Sequence, residues 1–165
     1  MLDFKKTKFY KYFESDLDSF SIYFPAEPEV EEHQNLNIYK AGWSGEGYLV
    51  TVSTSGFTTV KSLEEVEEIK KNPERVKEVQ KRELKKSVET LKSINKVLSV
   101  RESNFFNLPS VDLVYYSMTT NPHMYVVVRE FYTTERGYSI TAAHKKRESA
   151  IEKFEQFISG FKLLN

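Results

Sequence analysis

The sequence predicts an α+β fold in which helices cover the faces of a mainly antiparallel sheet. Its C-terminal part, residues 124–164, has the pattern of strand, turn, strand, helix and tail, and residues 62–94 are charged with a helical periodicity. The other strand-like segments form one group before that helical stretch and one after it. Strands that occur in groups favour an antiparallel sheet over a regular βαβ repeat. A length of 165 residues fits one domain, which we predict to span residues 1–165.

Residues 4–13 interleave four lysines with five aromatic residues. Such a segment could stack on single-stranded nucleic acid or contact a membrane surface. Nearby acidic residues balance the lysines, so we predict an edge strand instead. The alternating residues 19–24 predict a second strand, which ends at Pro25. The acidic segment that follows, residues 27–32, is predicted to be a solvated connection.

Residues 36–43 predict a third strand, residues 44–47 a turn, and residues 48–53 the returning strand. Trp43, the only tryptophan, lies beside this turn. An aromatic side chain in such a position either supports the core or hairpin, which we favour, or forms a binding platform. Trp43 is therefore kept as a candidate partner-binding residue.

Two helices are predicted between residues 62 and 94. A capping-box pattern at Ser62 begins the first helix, and Pro73 is well placed in the first turn of the second. The apolar stripe of the second helix consists of Val76, Val79, Leu84, Val88 and Leu91. Its other side is densely charged and predicted to face solvent. On that side, Lys81 and Lys85 are candidate residues for docking a partner.

Four further strands are predicted after the helices. They are residues 97–106, 111–118, 125–133 and 138–142, with turns at 107–110, 121–123 and 134–137. Residues 125–133 are rich in β-branched and aromatic side chains without alternation. We therefore expect this strand to be central and covered on both faces.

The last helix is predicted to begin with a capping box at Ser149 and to end at a left-handed Gly160. Its apolar face consists of Ala150, Ile151, Phe154, Phe157 and Ile158. The same spacing predicts that Glu155 and Gln156 face water. We expect this helix to lie on the sheet.

The composition limits the class of protein. Lysine plus arginine equals aspartate plus glutamate at 24 each, which argues against a nucleic-acid partner. The sequence contains no cysteine, so disulfides and thiolate chemistry are absent. It has neither an apolar run of membrane-spanning length nor the apolar core of a signal peptide. We predict a soluble cytoplasmic protein, or an exported one if an upstream signal has been removed.

The sequence shows no pattern of catalytic or metal-binding residues. Its three histidines, His33, His123 and His144, lack the spacing of a metal site. There is no GxSxG elbow, no phosphate-binding loop and no GxGxxG pattern. We accordingly predict no catalytic residue, no metal and no cofactor.

Four segments resemble the PsbP-like family. They are FSIYFP, NLPSVDLVYYS, VREFYTTERGYSITAA and FISGFKLL, which are spread over almost the whole chain. That family includes photosystem extrinsic subunits, a Ran-binding nuclear import factor and small bacterial proteins. The resemblance implies an α/β/α sandwich around an antiparallel sheet, with helices on both faces and without catalysis. It carries over no functional residue.

The resulting hypothesis is a non-catalytic adaptor module, either protein-binding or chaperone-like, whose partner is another protein. The alternative is a small ligand-binding protein or a hydrolase whose site is assembled from residues distant in sequence. A deep polar pocket containing acids with perturbed pKa values would favour the alternative. A shallow, exposed apolar patch would favour the adaptor.

Overall fold

The computed structural model describes residues 9–43 and 45–164, which form ten strands and three helices. The strands are β1 (Lys11–Ser15), β2 (Phe20–Phe24), β3 (Glu29–Glu32), β4 (Leu36–Trp43), β5 (Glu46–Ser53), β6 (Lys96–Phe105), β7 (Leu108–Tyr116), β8 (Tyr125–Tyr132), β9 (Gly137–His144) and β10 (Lys162–Leu163). The helices are α1 (Leu63–Lys70), α2 (Pro73–Ile94) and α3 (Arg147–Ile158).

The strands form two antiparallel sheets. The large sheet has seven strands in the order β3-β4-β5-β9-β8-β7-β6, and the small sheet has three in the order β1-β2-β10. The predicted fold class is therefore confirmed, and β8 is an interior strand as expected. The separation of β1 and β2 into a sheet of their own was not predicted.

The main core lies between one face of the large sheet and a layer made of α3 and the small sheet. Phe154 and Phe157 of α3 are buried, whereas Glu155 and Gln156 are exposed, which confirms the predicted register of this helix. Ile151, which was predicted on the buried face, is 36% exposed. The ring of Phe157 lies within 5.5 Å of the rings of Phe9, Phe24 and Tyr48.

The second face of the large sheet is covered by α2. Leu84 and Val88 of this helix pack with Val111, Leu113 and Val128 of the sheet. A smaller cluster of Phe57, Ile69 and Val79 joins α1 and α2. Helices therefore cover both faces, as predicted.

The two linked helices begin where the sequence indicates. The Ser62 side chain accepts a hydrogen bond from the Glu65 backbone, and the Asn72 side chain accepts from the backbone of the first turn of α2. Pro73 is the first residue of α2. The buried side of α2 also carries two polar residues that the apolar stripe did not reveal, Gln80 and Glu83. Glu83 accepts hydrogen bonds from Thr58 and Thr59 and so holds the loop before α1.

A buried polar network joins the loop between β1 and β2 to the large sheet. The Asp18 carboxylate accepts hydrogen bonds from the Asn37 amide and the Tyr39 hydroxyl, and it lies 3.5 Å from the Arg136 guanidinium. Tyr138 donates its hydroxyl proton to the Asp18 backbone carbonyl. Burial and the Asp18 hydrogen bond raise the pKa of Tyr39 to about 12. This network fixes how the small sheet sits on the large one.

The acidic segment 27–32 was predicted to be a connection, and this prediction is wrong. Its second part forms β3, which pairs with β4 at one edge of the large sheet. Lys40 of β4 forms ion pairs with Glu29 and Glu31 across the strands. Because an edge strand is solvated on its outer side, it accommodates charges that an interior strand excludes.

The turn between β6 and β7 also differs from the prediction. It consists of Phe106 and Asn107, which both have positive φ, at 51° and 61°. Two consecutive positive φ values are the mark of a type I′ hairpin turn. Leu108 and Pro109, which were assigned to the turn, begin β7.

The ends of α3 correct two further predictions. The helix begins at Arg147, with Lys146 rather than Ser149 as its N-cap, because the chain turns into it directly after β9. Its C-cap is Ser159, with φ −61°, and Gly160 does not have a positive φ, so this glycine does not serve as a left-handed cap. A β-carbon at Gly160 would lie only 3.2 Å from the Tyr23 ring, so the glycine allows close packing against β2.

Candidate functional site

A groove of about 650 Å³ lies between α2 and the β6–β7 hairpin. The residues of α2 that line it are Lys81, Leu84, Lys85, Val88 and Lys92. The residues of the hairpin that line it are Val100, Glu102, Ser103, Asn104, Pro109, Ser110 and Val111. The groove therefore joins residues that are far apart in sequence.

The side of the groove that α2 forms is basic. Lys81 and Lys85 are exposed, and neither has an ion-pair or hydrogen-bond partner among the described residues. Lys92 lies 3.9 Å from Glu89 in an exposed pair, which contributes little. Residues 81, 85 and 92 fall on one side of a helix with 3.6 residues per turn. The groove has one acid opposite these three lysines, Glu102.

The floor of the groove is apolar. Leu84 and Val88 of α2 and Val111 of β7 belong to one buried cluster and reach the groove from below. Val100 of β6 is 42% exposed and extends this apolar surface towards the edge of the sheet. Leu84, Val88 and Val111 are themselves buried, so Val100 is the exposed apolar side chain of the lining.

The side of the groove opposite α2 includes β6, which is an edge strand. β6 pairs with β7 on one side, and among the described residues no strand pairs with its other side. The pairing is regular from Ser99 to Phe105 and is irregular between Val97 and Ser99. Backbone groups on the outer side of β6 consequently remain available for pairing.

The structure brings two of the three candidate residues together. Lys81 and Lys85 line the same groove, whereas Trp43 ends β4 and pairs with Glu46 at the hairpin towards the opposite edge of the large sheet. Four strands separate β4 from β6, a distance of about 24 Å at the usual strand spacing. The exposure of the Trp43 side chain lies outside what the structure describes. The partner-binding role of all three residues stays a prediction.

Sequence reasoning missed the β6 side of the site. Residues 99–104 were predicted to be a strand, but nothing marked this strand as part of a binding surface. A signal was present, since the stretch SVRESN is polar or charged at positions on both faces. Such a pattern is typical of an edge strand. Only the strand order shows that β6 is the last strand of the large sheet. Among the described residues, its outer edge is therefore unpaired.

The buried acid Glu130 lies outside the groove. It sits on β8 beneath α2, and its carboxylate accepts a hydrogen bond of 3.4 Å from the Ser139 hydroxyl. Burial raises the pKa of Glu130, and neighbouring serine hydroxyls offset part of this effect. Because this carboxyl does not line the groove, it is not placed to act on a molecule bound there.

The histidines do not converge either. His33 lies 3.7 Å from Glu31, His123 contacts the Ser117 carbonyl, and the His144 ring accepts from the Lys146 backbone. Over residues 9–43 and 45–164, no three metal-ligating side chains come together. None of the helices in the same part of the chain combines the length and the apolar character that a membrane span requires.

The two antiparallel sheets and the three helices define an α+β protein, and its fold is similar to that of PsbP. The chain is similar to cyanobacterial PsbP from Synechocystis, whose solution structure aligns over 92% of this chain and 91% of that protein, with a TM-score of 0.56 and 9% identity. At this identity the likeness shows the fold alone, and it agrees with the resemblance seen in the sequence.

Two other solved structures align over most of this chain. One is a Pseudomonas aeruginosa protein of unknown function, with 11% identity, a TM-score of 0.46, and coverage of 88% of this chain and 92% of that protein. The other is from Bacteroides thetaiotaomicron, with 8% identity, a TM-score of 0.43, and coverage of 94% and 48%. No family model and no curated protein matches the sequence.

Proposed function

We propose that this protein is a non-catalytic binding module and that a partner protein docks in the groove between α2 and β6. The observation that carries the proposal is the pair of exposed lysines, Lys81 and Lys85, which have no partner within the described residues and stand above an apolar floor. Unpaired charge on the rim of an apolar groove favours association with a partner of opposite charge.

The groove contains no convergent polar constellation among its lining residues, which supports a binding role over a hydrolytic one. A hydrolase with a side-chain nucleophile requires that nucleophile, a base and an oxyanion site within hydrogen-bond reach of one another. The groove instead offers three lysines, one carboxylate and short polar side chains above an aliphatic floor. This composition is suited to recognition.

Charge reversal tests the proposal. We expect the double variant Lys81→Glu, Lys85→Glu to lose the partner, because the basic wall becomes acidic. The matched control is Lys61→Glu, Arg75→Glu, which changes the net charge equally at exposed residues that do not line the groove. Each single reversal should change the free energy of unfolding by less than about 0.5 kcal/mol, as is usual at exposed sites.

The readout is affinity capture from the source organism with the parent protein, both double variants and Trp43→Ala. The proposal predicts a partner that the parent, the control and Trp43→Ala retain in equal amounts and that the groove variant loses. A partner that only Trp43→Ala loses would place docking at the β4–β5 hairpin and refute the groove. Denaturant titration of each variant ensures that a loss of binding is not a loss of folding.

A further inference from the structure

We infer that the occupant of the groove is an acidic segment in extended conformation that adds to the free edge of β6 as a further antiparallel or parallel strand. This inference rests on the proposed function and specifies the chemistry of the partner. It is carried by three observations: the unpaired backbone of β6, the lysines that stand over that edge, and the exposed valine between them.

The register of the hairpin shows which backbone groups are free. The two-residue turn closes on the pair Phe105 and Leu108, and residues along an antiparallel pair alternate between those that bond to the partner strand and those that do not. Phe105 forms a hydrogen-bonded pair with Leu108, so every second residue before it, Ser103 and Arg101, also forms backbone hydrogen bonds with β7. The backbone N–H and C=O groups of Val100, Glu102 and Asn104 therefore point away from the sheet.

The same three residues present their side chains on the face that α2 covers. Glu102 is paired with Val111 and Val100 with Leu113, and both of these partners pack in the cluster beneath α2. A strand added beside residues 100–104 would thus continue the floor of the groove. Its alternate side chains would lie under the helix wall, as in other cases where a peptide extends a sheet edge.

The charge of this space selects an acidic occupant. Lys81, Lys85 and Lys92 line the groove on the side of α2 that is turned towards the edge of the sheet. Glu102 supplies the single negative charge in the lining. A segment in which acidic residues alternate with apolar ones would pair its carboxylates with the lysines and extend the exposed surface of Val100.

A random dodecapeptide display selection provides the probe. We expect the enriched peptides to carry two or more acidic residues at alternating positions and to bind the Lys81→Glu, Lys85→Glu variant at least tenfold more weakly than the parent. The Lys61→Glu, Arg75→Glu control should bind within twofold of the parent. The failure of any peptide to be enriched, or enrichment of neutral or basic peptides, would overturn the inference.

Amide hydrogen exchange then tests strand addition itself. With the enriched acidic peptide at saturation, exchange at Val100, Glu102 and Asn104 should slow at least tenfold, whereas Arg101 and Ser103, which already bond to β7, should change little. If the peptide binds and the groove variant loses it but these three amides stay fast, strand addition is wrong while docking in the groove stands. If the groove variant binds the peptide normally, the proposed function is contradicted as well.

Discussion

Replacing Phe157 by alanine removes the side chain that joins α3 to both sheets in the main core. Phe157 belongs to α3 and is fully buried, and its ring contacts Phe9, Phe24 of the small sheet and Tyr48 of the large sheet at centroid distances of 5.4 to 5.5 Å. Truncating a buried phenylalanine costs about 3 to 5 kcal/mol. Aromatic pairs contribute about 0.5 to 1.5 kcal/mol each beyond area burial, and three such pairs are lost here. We therefore expect a cost near the upper end, about 4 to 5 kcal/mol.

Urea titration measures this cost. With a slope of about 2 kcal/mol per molar urea, the unfolding midpoint of Phe157→Ala should fall by about 2 M. The matched control is Glu155→Ala in the same helix, where the exposed side chain should change the free energy of unfolding by less than about 0.5 kcal/mol. Similar midpoints for the two variants would show that α3 does not join the layers as described.

Three further predictions concern the buried polar groups and metal ions. Because burial raises the folded-state pKa of Glu130 above its ordinary value of 4.5, its contribution to stability is fully present below that value and is lost as pH rises through the folded pKa. Urea titrations across this range should show stability falling less with pH in Glu130→Gln than in the parent, and parallel profiles would contradict the assignment. Asp18→Ala should cost about 3 to 5 kcal/mol in the same assay, because it leaves the Arg136 charge and the Tyr39 hydroxyl without their buried partner; a cost below about 1 kcal/mol would show that the network does not hold the sheets together. EDTA should leave the melting temperature unchanged, and a fall of many degrees would reveal a structural metal.

The helices were largely predictable because their signals are local. Asn72 and Pro73 mark the start of α2, and the buried positions of α2 and α3 repeat at helical spacing. Ser149 shows the limit of such signals. Its capping pattern lies inside the helix, since the short connection from β9 decides where α3 begins.

Strand pairing was less predictable because it depends on contacts between distant residues. The alternation of residues 20–24 predicts a half-buried strand but not the sheet to which it belongs. The Asp18 network and the pairing of β10 with β2 decide that β1 and β2 form a separate sheet. The acidic strand β3 was missed because its charges are compensated by Lys40, which lies on the neighbouring strand.

The candidate site was predictable in part for the same reason. Lys81 and Lys85 could be selected from α2 alone, since an exposed helical face is visible in the sequence. The opposite wall requires the hairpin register that places Val100 and Glu102 beside β7 and below the helix. Nothing in the sequence indicates that residues 85 and 100 line the same groove.

Site-specific photo-crosslinking tests the central claim most directly. A benzophenone amino acid would be placed at position 104 in the groove, where both lysines are kept, at position 75 on another side of α2, or at position 43 at the β4–β5 hairpin. The groove account predicts that irradiation in the source organism links the same partner to position 104 and not to positions 75 or 43. A partner linked from position 43 or 75 but not from position 104 would contradict it.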